Sequence, residues 1–361
     1  PTSVLAEFSK LKILQAPNFR DFRQAFRAKL GRNFIVPANS FDNVKGQFPI
    51  GFFIWDTNQK EVFEETTTTI YDSKGEELGN KLISSYLNDT NVIVWLRQYY
   101  DKQGESIGFL RMNGTNIQNN LGIYITSKLS DNDIHNHFYA EITKTNILPM
   151  CIYLSIRETV NANWINDRDQ YLVPSSKWED DKEFQYNCLI HSLFSGQNRI
   201  QSQHGTNHWI PFSEEEVGAQ DNFESHFIHD FIMGKVKEEK PQQKETMQDL
   251  FAEQELQTTG GSSFTPTGPL EFSQEAQAVL DAGRELWRYY HKQAGANPNA
   301  SYYDIKMHFQ GTKTTKSGKL QMNSTSEDAT YNTLLANLRQ AMKGLAAHIE
   351  PKVYEYGFLK K

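Results

Sequence analysis

Apolar and polar positions recur with different periods along the chain, and the change of period divides it. Phe19, Phe22, Phe26 and Leu30 fall at helical spacing with Arg20, Arg23, Arg27 and Lys29 between them. That pattern predicts an amphipathic helix over 17–30, stopped by Gly31. Two strand-like runs follow, 33–36 and 50–56, around a polar, turn-forming stretch at 39–47. The run Ile50-Gly51-Phe52-Phe53-Ile54-Trp55 is apolar throughout, which predicts a strand buried on both faces. From about 60 to 155 the pattern is β-rich, with strands expected at 66–71, 92–96, 106–111 and 121–126 between Asp, Asn and Gly turns. Residues 179–194 read as more helical. Ser213 reads as a helix N-cap, with Glu214, Glu215 and Glu216 in a first turn whose dipole favours carboxylates.

Composition shifts near 236. Residues 236–270 are rich in Glu, Gln, Lys, Thr, Gly, Ser and Pro and read as a linker or mobile loop. Beyond it Ser273 caps a helix with the apolar stripe Ala276, Val279, Leu280, Gly283, Leu286, Trp287 and Tyr290. Residues 311–324 read as a loop. A last helix carries Leu334, Leu335, Leu338, Met342, Leu345 and Ile349 and is stopped by Pro351. The two helices are expected to pair antiparallel. No internal repeat is present.

The 361 residues suffice for two or three domains. A hydrophobic share of 38% beside 22% charged residues fits a globular core. The net charge of −7 makes the chain a poor non-specific binder of nucleic acid, so any DNA contact needs a local basic patch or a basic partner domain. Cys151 and Cys188 each sit among apolar residues with no Cys-x-x-Cys pair, which predicts buried free thiols in a reducing, cytoplasmic setting. No apolar run of about 18 residues is present, so no membrane span is expected.

Little in the chain reads as a self-contained active site. His135 and His137, His204 and His208, and His226 and His229 with Asp230 stand close in sequence. They lack a third ligand at a telling distance, so no metal is expected. Asp180-Asp181 and Glu214-Glu215 read as a solvated loop and a helix start. Serine hydrolysis is not expected, and Asp181-Lys182-Glu183 is too compressed for a nuclease site.

The most distinctive stretch is 34–56, FIVPANSFDNVKGQFPIGFFIWD: a strand, a polar loop and an apolar strand. It resembles the region just after the catalytic motif in bacterial adenine-N6 DNA methyltransferases of restriction–modification systems, of type I or fused type II-like organisation. In that family a strand ends in a Pro, followed by an aromatic, a short polar loop and a hydrophobic strand that completes the sheet. Residues 8–12 and 20–23 are similar to the helical run leading into it. Residues 197–200, 207–212 and 352–359 resemble downstream segments of one subfamily. The resemblance implies an α+β fold: the tail of a doubly wound methyltransferase sheet over 1–58, a mostly β target-recognition-like region over 59–235, the linker 236–270, and a helical C-terminal region over 271–361.

It implies further that Phe41 stacks on an adenine flipped out of the duplex, replacing the base's lost neighbours. Asn43 and Lys45 in the same loop would touch DNA, Lys45 at a phosphate. Phe41 as a core aromatic, with turns at 42–43 and 45–46, is the other reading of the same residues. Arg97, Arg111, Lys128, Arg199 and Trp209, in or beside the β-rich middle, are the remaining candidate DNA contacts, with scattered surface cations as the alternative. The family's (Asn/Asp)-Pro-Pro-(Tyr/Phe) motif and its glycine-rich donor-binding motif are both absent. Alone, the chain is therefore expected neither to bind S-adenosylmethionine tightly nor to methylate, and both motifs are expected upstream of Pro1 in the same polypeptide. Two other readings stand beside this one. The first is a non-catalytic module that binds DNA or protein. The second is a structural protein with an exposed stripe at Leu334, Leu338 and Met342.

Overall fold

The computed structural model describes every residue except 1, 2, 102, 137, 237–265, 267, 317 and 319. The expected linker 236–270 and the pairing of His135 with His137 thus lie largely outside the described residues.

The chain opens with strand β1 (Val4–Lys10), helices α1 (Lys12–Gln15) and α2 (Arg20–Ala25), and strands β2 (Lys29–Pro37) and β3 (Pro49–Asp56). Strands β4 (Glu65–Tyr71) and β5 (Glu77–Ser84) follow. These five strands form one mixed sheet in the order β1-β3-β2-β4-β5. Strand β3 runs antiparallel to both β1 and β2, so those two are parallel to each other, and β2 is also parallel to β4. The helices between β1 and β2 make a crossover, as parallel strands require. The sheet thus runs on past residue 58, to Ser84.

Two local readings are corrected here. The helix expected over 17–30 ends at Ala25, where Phe26 turns extended and the chain enters β2. Its periodic rings remain in use, with Phe22 stacked on Phe26 at 5.4 Å and Phe26 edge-on to Trp55 at 5.2 Å. Strand β3 is not buried on both faces. Gly51, Phe53 and Trp55 point inward, while Ile50, Phe52 and Ile54 stay half-exposed on the other side. Inward, Leu11, Leu14, Ala28, Ile35, Ile70 and Ile83 close a small core.

The rest of the chain builds a second, larger core. Its parts are α3 (Val92–Arg97), β6 (Ser106–Arg111), β7 (Tyr124–Thr126), α4 (Asp131–His135), β8 (Tyr139–Thr143), α5 (Ile147–Thr159) and α6 (Lys182–Phe194). Then come β9 (Asn198–Arg199), α7 (Glu214–Val217), α8 (Phe227–Ile232), α9 (Gln274–His291) and α10 (Tyr302–Gln310). A hairpin of β10 (Thr312–Thr314) and β11 (Leu320–Met322) precedes the last helix, α11 (Ala329–Glu355). A four-stranded sheet in the order β8-β6-β7-β9 packs with these helices. The region expected to be mostly β centres instead on α5 and α6, which are buried almost all round.

Residues 92–96 are helical rather than extended. The β-branched run favours a strand, but the Asn91 side chain accepts from the Ile93 N–H at 3.0 Å and caps a turn that buries Trp95 and Leu96. At 121–126 only Tyr124–Thr126 is strand, and Leu121 is exposed in a preceding 3-10 turn. The segment read as a loop at 311–324 contains the β10–β11 hairpin. Helix α11 passes through Pro351 rather than stopping there.

The capped starts at Ser213 and Ser273 form as expected, and the stripe of α9 is buried throughout. Tyr289 bonds to Asp328, and His348 lies 3.6 Å from Glu275, so α9 and α11 run antiparallel. Leu338 is fully buried, with Leu334 and Met342 packed beside it, so that stripe faces the core rather than solvent. Both cysteines are free and buried, and burial pushes the Cys151 thiol up to about 12, an unreactive range. Among the described residues no helix is long and apolar enough to cross a membrane.

Candidate nucleic-acid interface

The alternation of β2 and β3 leaves an aromatic row on the uncovered face of the first sheet. Phe8, Phe52 and Phe34 are register neighbours across β1, β3 and β2. Their ring centroids lie 4.7 Å (Phe8–Phe52) and 5.2 Å (Phe34–Phe52) apart, and Tyr71 meets Phe34 edge-on at 5.8 Å. The loop after β2 folds back on this row. A 3-10 turn over Ala38–Ser40 brings Phe41 edge-on to Phe8 at 5.2 Å. Phe41 is half-buried, and Phe8 is 54% exposed.

Asn43 takes a left-handed conformation, φ 65°, that its short amide tolerates, and both Asn43 and Lys45 face solvent. Lys10, at the end of β1, holds its ammonium 4.8 Å over the Phe48 ring. The loop therefore stands at the carboxyl ends of the parallel strands β1 and β2, where open α/β sheets place ligands.

A second group gathers on the outer face of the four-stranded sheet. Arg111 on β6 is opposite Tyr124 on β7, and Thr126 on β7 is opposite Arg199 on β9. The Arg199 guanidinium lies 3.8 Å from the centroid of the Tyr124 ring and donates to Gln197 at 2.8 Å. Arg111 faces the same ring at 5.9 Å but is committed elsewhere. It donates to Asp133 at 3.0 Å and to the Gly122 carbonyl at 2.5 Å. Burial pushes the Asp133 carboxyl up, yet hydrogen bonds from Ser130 and Arg111 win and hold it below the usual range. Arg111 is thus neutralised in place. Lys128 is exposed two residues beyond Thr126, and Arg97 is exposed at the last turn of α3. Trp209 does not reach the surface. It is 4% exposed and its indole N–H donates to the Ile107 carbonyl at 2.7 Å, so it is a packing residue and leaves the set of surface candidates.

Sequence reading missed a third group. Glu158, at the end of α5, accepts from the Ser195 hydroxyl. Burial pushes its carboxyl up to about 7, against the pull of that bond and of Lys306 and Arg199. Lys306 on α10 is 8% exposed, and its ammonium sits 4.3 Å from the Tyr302 ring centroid. Burial first, then Arg339 of α11, push it down to about 8. Residues 158, 195, 199, 306 and 339 share no motif, so only the fold brings them together.

The sequence also contains a Gly-x-Ser-x-Gly spacing, Gly104-Glu105-Ser106-Ile107-Gly108, which the expectation of no serine hydrolysis passed over. Ser106 begins strand β6 rather than capping a strand-to-helix turn, and its hydroxyl donates to the Gly108 carbonyl at 3.1 Å. Among the histidines, His226 is 2.8 Å from Glu214, and His229 is 3.7 Å from Glu216. Among the described residues no three His, Cys, Asp or Glu side chains are placed to hold a metal ion. Two open surface grooves, of about 430 and 730 Å³, are lined from the C-terminal third of the chain; Leu334 lines the smaller, and neither includes any of the candidate DNA contacts.

These features define a mixed α+β protein with two candidate nucleic-acid surfaces, one on each sheet. No family model matches the chain, and no curated protein and no solved structure matches it.

Proposed function

We propose that the chain is part of a site-specific DNA adenine-N6 methyltransferase of a restriction–modification system. It supplies the base-stacking loop and DNA recognition, while the S-adenosylmethionine site lies upstream of Pro1 in the same polypeptide. The observation that carries this reading is the arrangement of β1, β3 and β2. Two parallel strands joined through helices hold an antiparallel strand between them. The resemblance at 34–56 asks for a strand ending in Pro, a polar loop and a hydrophobic strand that completes the sheet, and β2, its loop and β3 supply that order. Doubly wound sheets are covered on both faces. Here helices cover one face, the other bears Phe8, Phe34 and Phe52, and β1 is an edge strand of seven residues. An upstream half would cover that face and extend the sheet from β1. The bound S-adenosylmethionine supplies the methyl group; the residues of this chain orient the base and hold the duplex.

The same aromatic row favours a second reading, a non-catalytic binding module, because sheet-borne rings are platforms for unpaired bases. One experiment separates the two. The polypeptide expressed from its natural gene is incubated with labelled S-adenosylmethionine and unmethylated genomic DNA, and the nucleosides are analysed. Label in N6-methyladenine supports the enzyme. Folded protein that transfers no label, yet binds single strands better than duplex, leaves the module.

A further inference from the structure

Residues 112–115 follow β6 as a loop with neither helix nor strand, and they carry the only Asn-Gly pair in the sequence, Asn113-Gly114. Gly114 has no side chain to shield its backbone nitrogen. Its N–H donates to the Asn113 Oδ1 at 2.9 Å. The Asn113 Cγ is bonded to that oxygen, so it stands at most one C=O bond length farther from the glycine nitrogen. Among the described residues the Asn113 Nδ2 donates to no partner. Gly114 is exposed and Asn113 half-buried, so water reaches the pair. Asn323-Ser324 is held differently. The Asn323 Nδ2 donates to the Gln310 carbonyl at 3.0 Å, and its N–H donates to the Gly311 carbonyl at 3.0 Å.

Two guanidiniums touch the Asn-Gly loop. A Cβ built on Gly122 would stand 2.2 Å from the Asn113 Nδ2 and 3.0 Å from the Arg111 Nη1, so amide and guanidinium lie side by side over that glycine. From α5, the buried Arg157 donates to the Gly114 carbonyl at 2.7 Å. Its other bonds go to the Asn120 side chain, the Tyr153 hydroxyl and the Asn116 carbonyl, all neutral acceptors, so no carboxylate offsets its charge there. A fixed positive charge favours the deprotonated form of a nearby group, here the Gly114 amide. It also favours the negative charge that develops as that nitrogen attacks.

We propose that Asn113 is a self-modifying site, at which the Gly114 nitrogen closes on the Asn113 Cγ and converts the asparagine to aspartate and isoaspartate. The Gly114 N–H gives its proton to water, and its nitrogen bonds to Cγ. The Cγ–Nδ2 bond breaks, and ammonia leaves carrying a proton from water. Water then opens the resulting succinimide at either of its carbonyls. The sum is one water consumed and one ammonia released, with no change of oxidation state. The new carboxylate arrives beside Arg111, which Asp133 already neutralises, so it adds a negative charge that no free cation there awaits. The chemistry is a slow, one-way change of charge beside the second candidate surface, and it holds whether or not that surface binds nucleic acid.

The test is peptide mapping of the full chain after incubation at pH 7 and pH 8, sampled over days. Trypsin releases residues 112–128, and the same peptide is incubated free alongside. Fragment ions should place the mass gain of an amide-to-acid change at Asn113, with aspartate and isoaspartate forms both present and the rate higher at pH 8. The folded chain should convert Asn113 at least as fast as the free peptide, while Asn323 keeps its amide. Asn113→Gln, whose extra methylene forces a larger ring, should give no acid at that position. Slower conversion in the folded chain than in the free peptide would overturn the proposal, because the fold would then hold the amide away from the glycine nitrogen. Aspartate without isoaspartate would overturn it too, since water would have attacked Cγ directly. So would conversion of Asn323 as fast as that of Asn113, which would leave the Asn113 geometry without a role.

Discussion

Phe41 meets Phe8 edge-on, with 5.2 Å between ring centroids, so the loop residue expected to stack on a base is already packed on one side. An edge contact leaves its ring faces less occupied than a stacked pair would. In the intact enzyme Phe41→Ala should lower methylation roughly ten- to hundredfold, since a base–aromatic stack contributes about 1–3 kcal/mol. The flipped-base signal of 2-aminopurine at the target should fall with it. An unchanged rate and an unchanged signal would return Phe41 to the aromatic row as a packing residue.

Much of this architecture was legible in the chain, and the failures have physical causes. The strands at 33–36, 66–71 and 106–111 and the caps at Ser213 and Ser273 follow from local pattern. Residues 92–96 went the other way because burial of Trp95 and Leu96 outweighed a β-branched run. The one-sided burial of β3 could not be read from Ile50-Gly51-Phe52-Phe53-Ile54-Trp55, in which both faces are apolar. The group around Glu158 was hidden for a different reason. Glu158, Ser195 and Lys306 lie far apart in the chain, and only the fold brings them together. The row of Phe8, Phe34 and Phe52 was likewise invisible until the register of β1 on β3 was fixed.

Lys81 and Asp169 join the two cores. Their charges are 2.6 Å apart, both side chains are largely buried, and Gln15 adds a hydrogen bond to the same carboxylate at 3.2 Å. Burial pushes the Asp169 carboxyl up, and Lys81 is the strongest opposing influence. Lys81→Met keeps the stem and strands the carboxylate, which should cost about 3–5 kcal/mol at neutral pH. The sign with pH is definite. A carboxyl raised further in the folded state binds protons that the unfolded chain has released, so the loss should shrink as pH falls. Urea unfolding at pH 5 and pH 8 measures it, and adding Asp169→Asn should restore much of the loss. An equal deficit at both pH values would mean that Lys81 acts through packing alone.

Glu158 makes a separable pH prediction. Its folded-state carboxyl sits at about 7, against an ordinary glutamate value near 4.5. Between those values the folded protein holds a proton that the unfolded chain has lost, so its contribution is intact in acid and declines as pH rises to about 7. At roughly 1.4 kcal/mol per pH unit the loss is at most about 3 kcal/mol. Asp167, which burial raises to about 6, slopes the same way, so the informative quantity is the difference between wild type and Glu158→Gln. The variant should gain on wild type steadily from pH 5 to pH 7 and hold its advantage above. A flat difference would show that the carboxyl is solvated in the folded protein.

Two glycines in adjacent helices should respond oppositely to alanine. A Cβ at Gly283 of α9 would stand 2.3 Å from the Phe194 ring of α6. That ring is 2% exposed and hemmed in by Trp287 at 5.9 Å, Tyr302 at 6.0 Å and Phe212 at 6.3 Å. It has nowhere to go without moving Tyr302, against which the Lys306 ammonium rests. Overpacking of this kind costs about 1–3 kcal/mol, more than alanine's gain of about 1 kcal/mol in helix propensity. Gly283→Ala should therefore lower the thermal midpoint. Gly344 of α11 is exposed, and a Cβ there meets nothing within 4 Å, so Gly344→Ala should raise the midpoint by the propensity term alone. Calorimetry of the two variants side by side is the measurement. If both rise, the contact between α9 and α6 is looser than the Phe194 geometry requires.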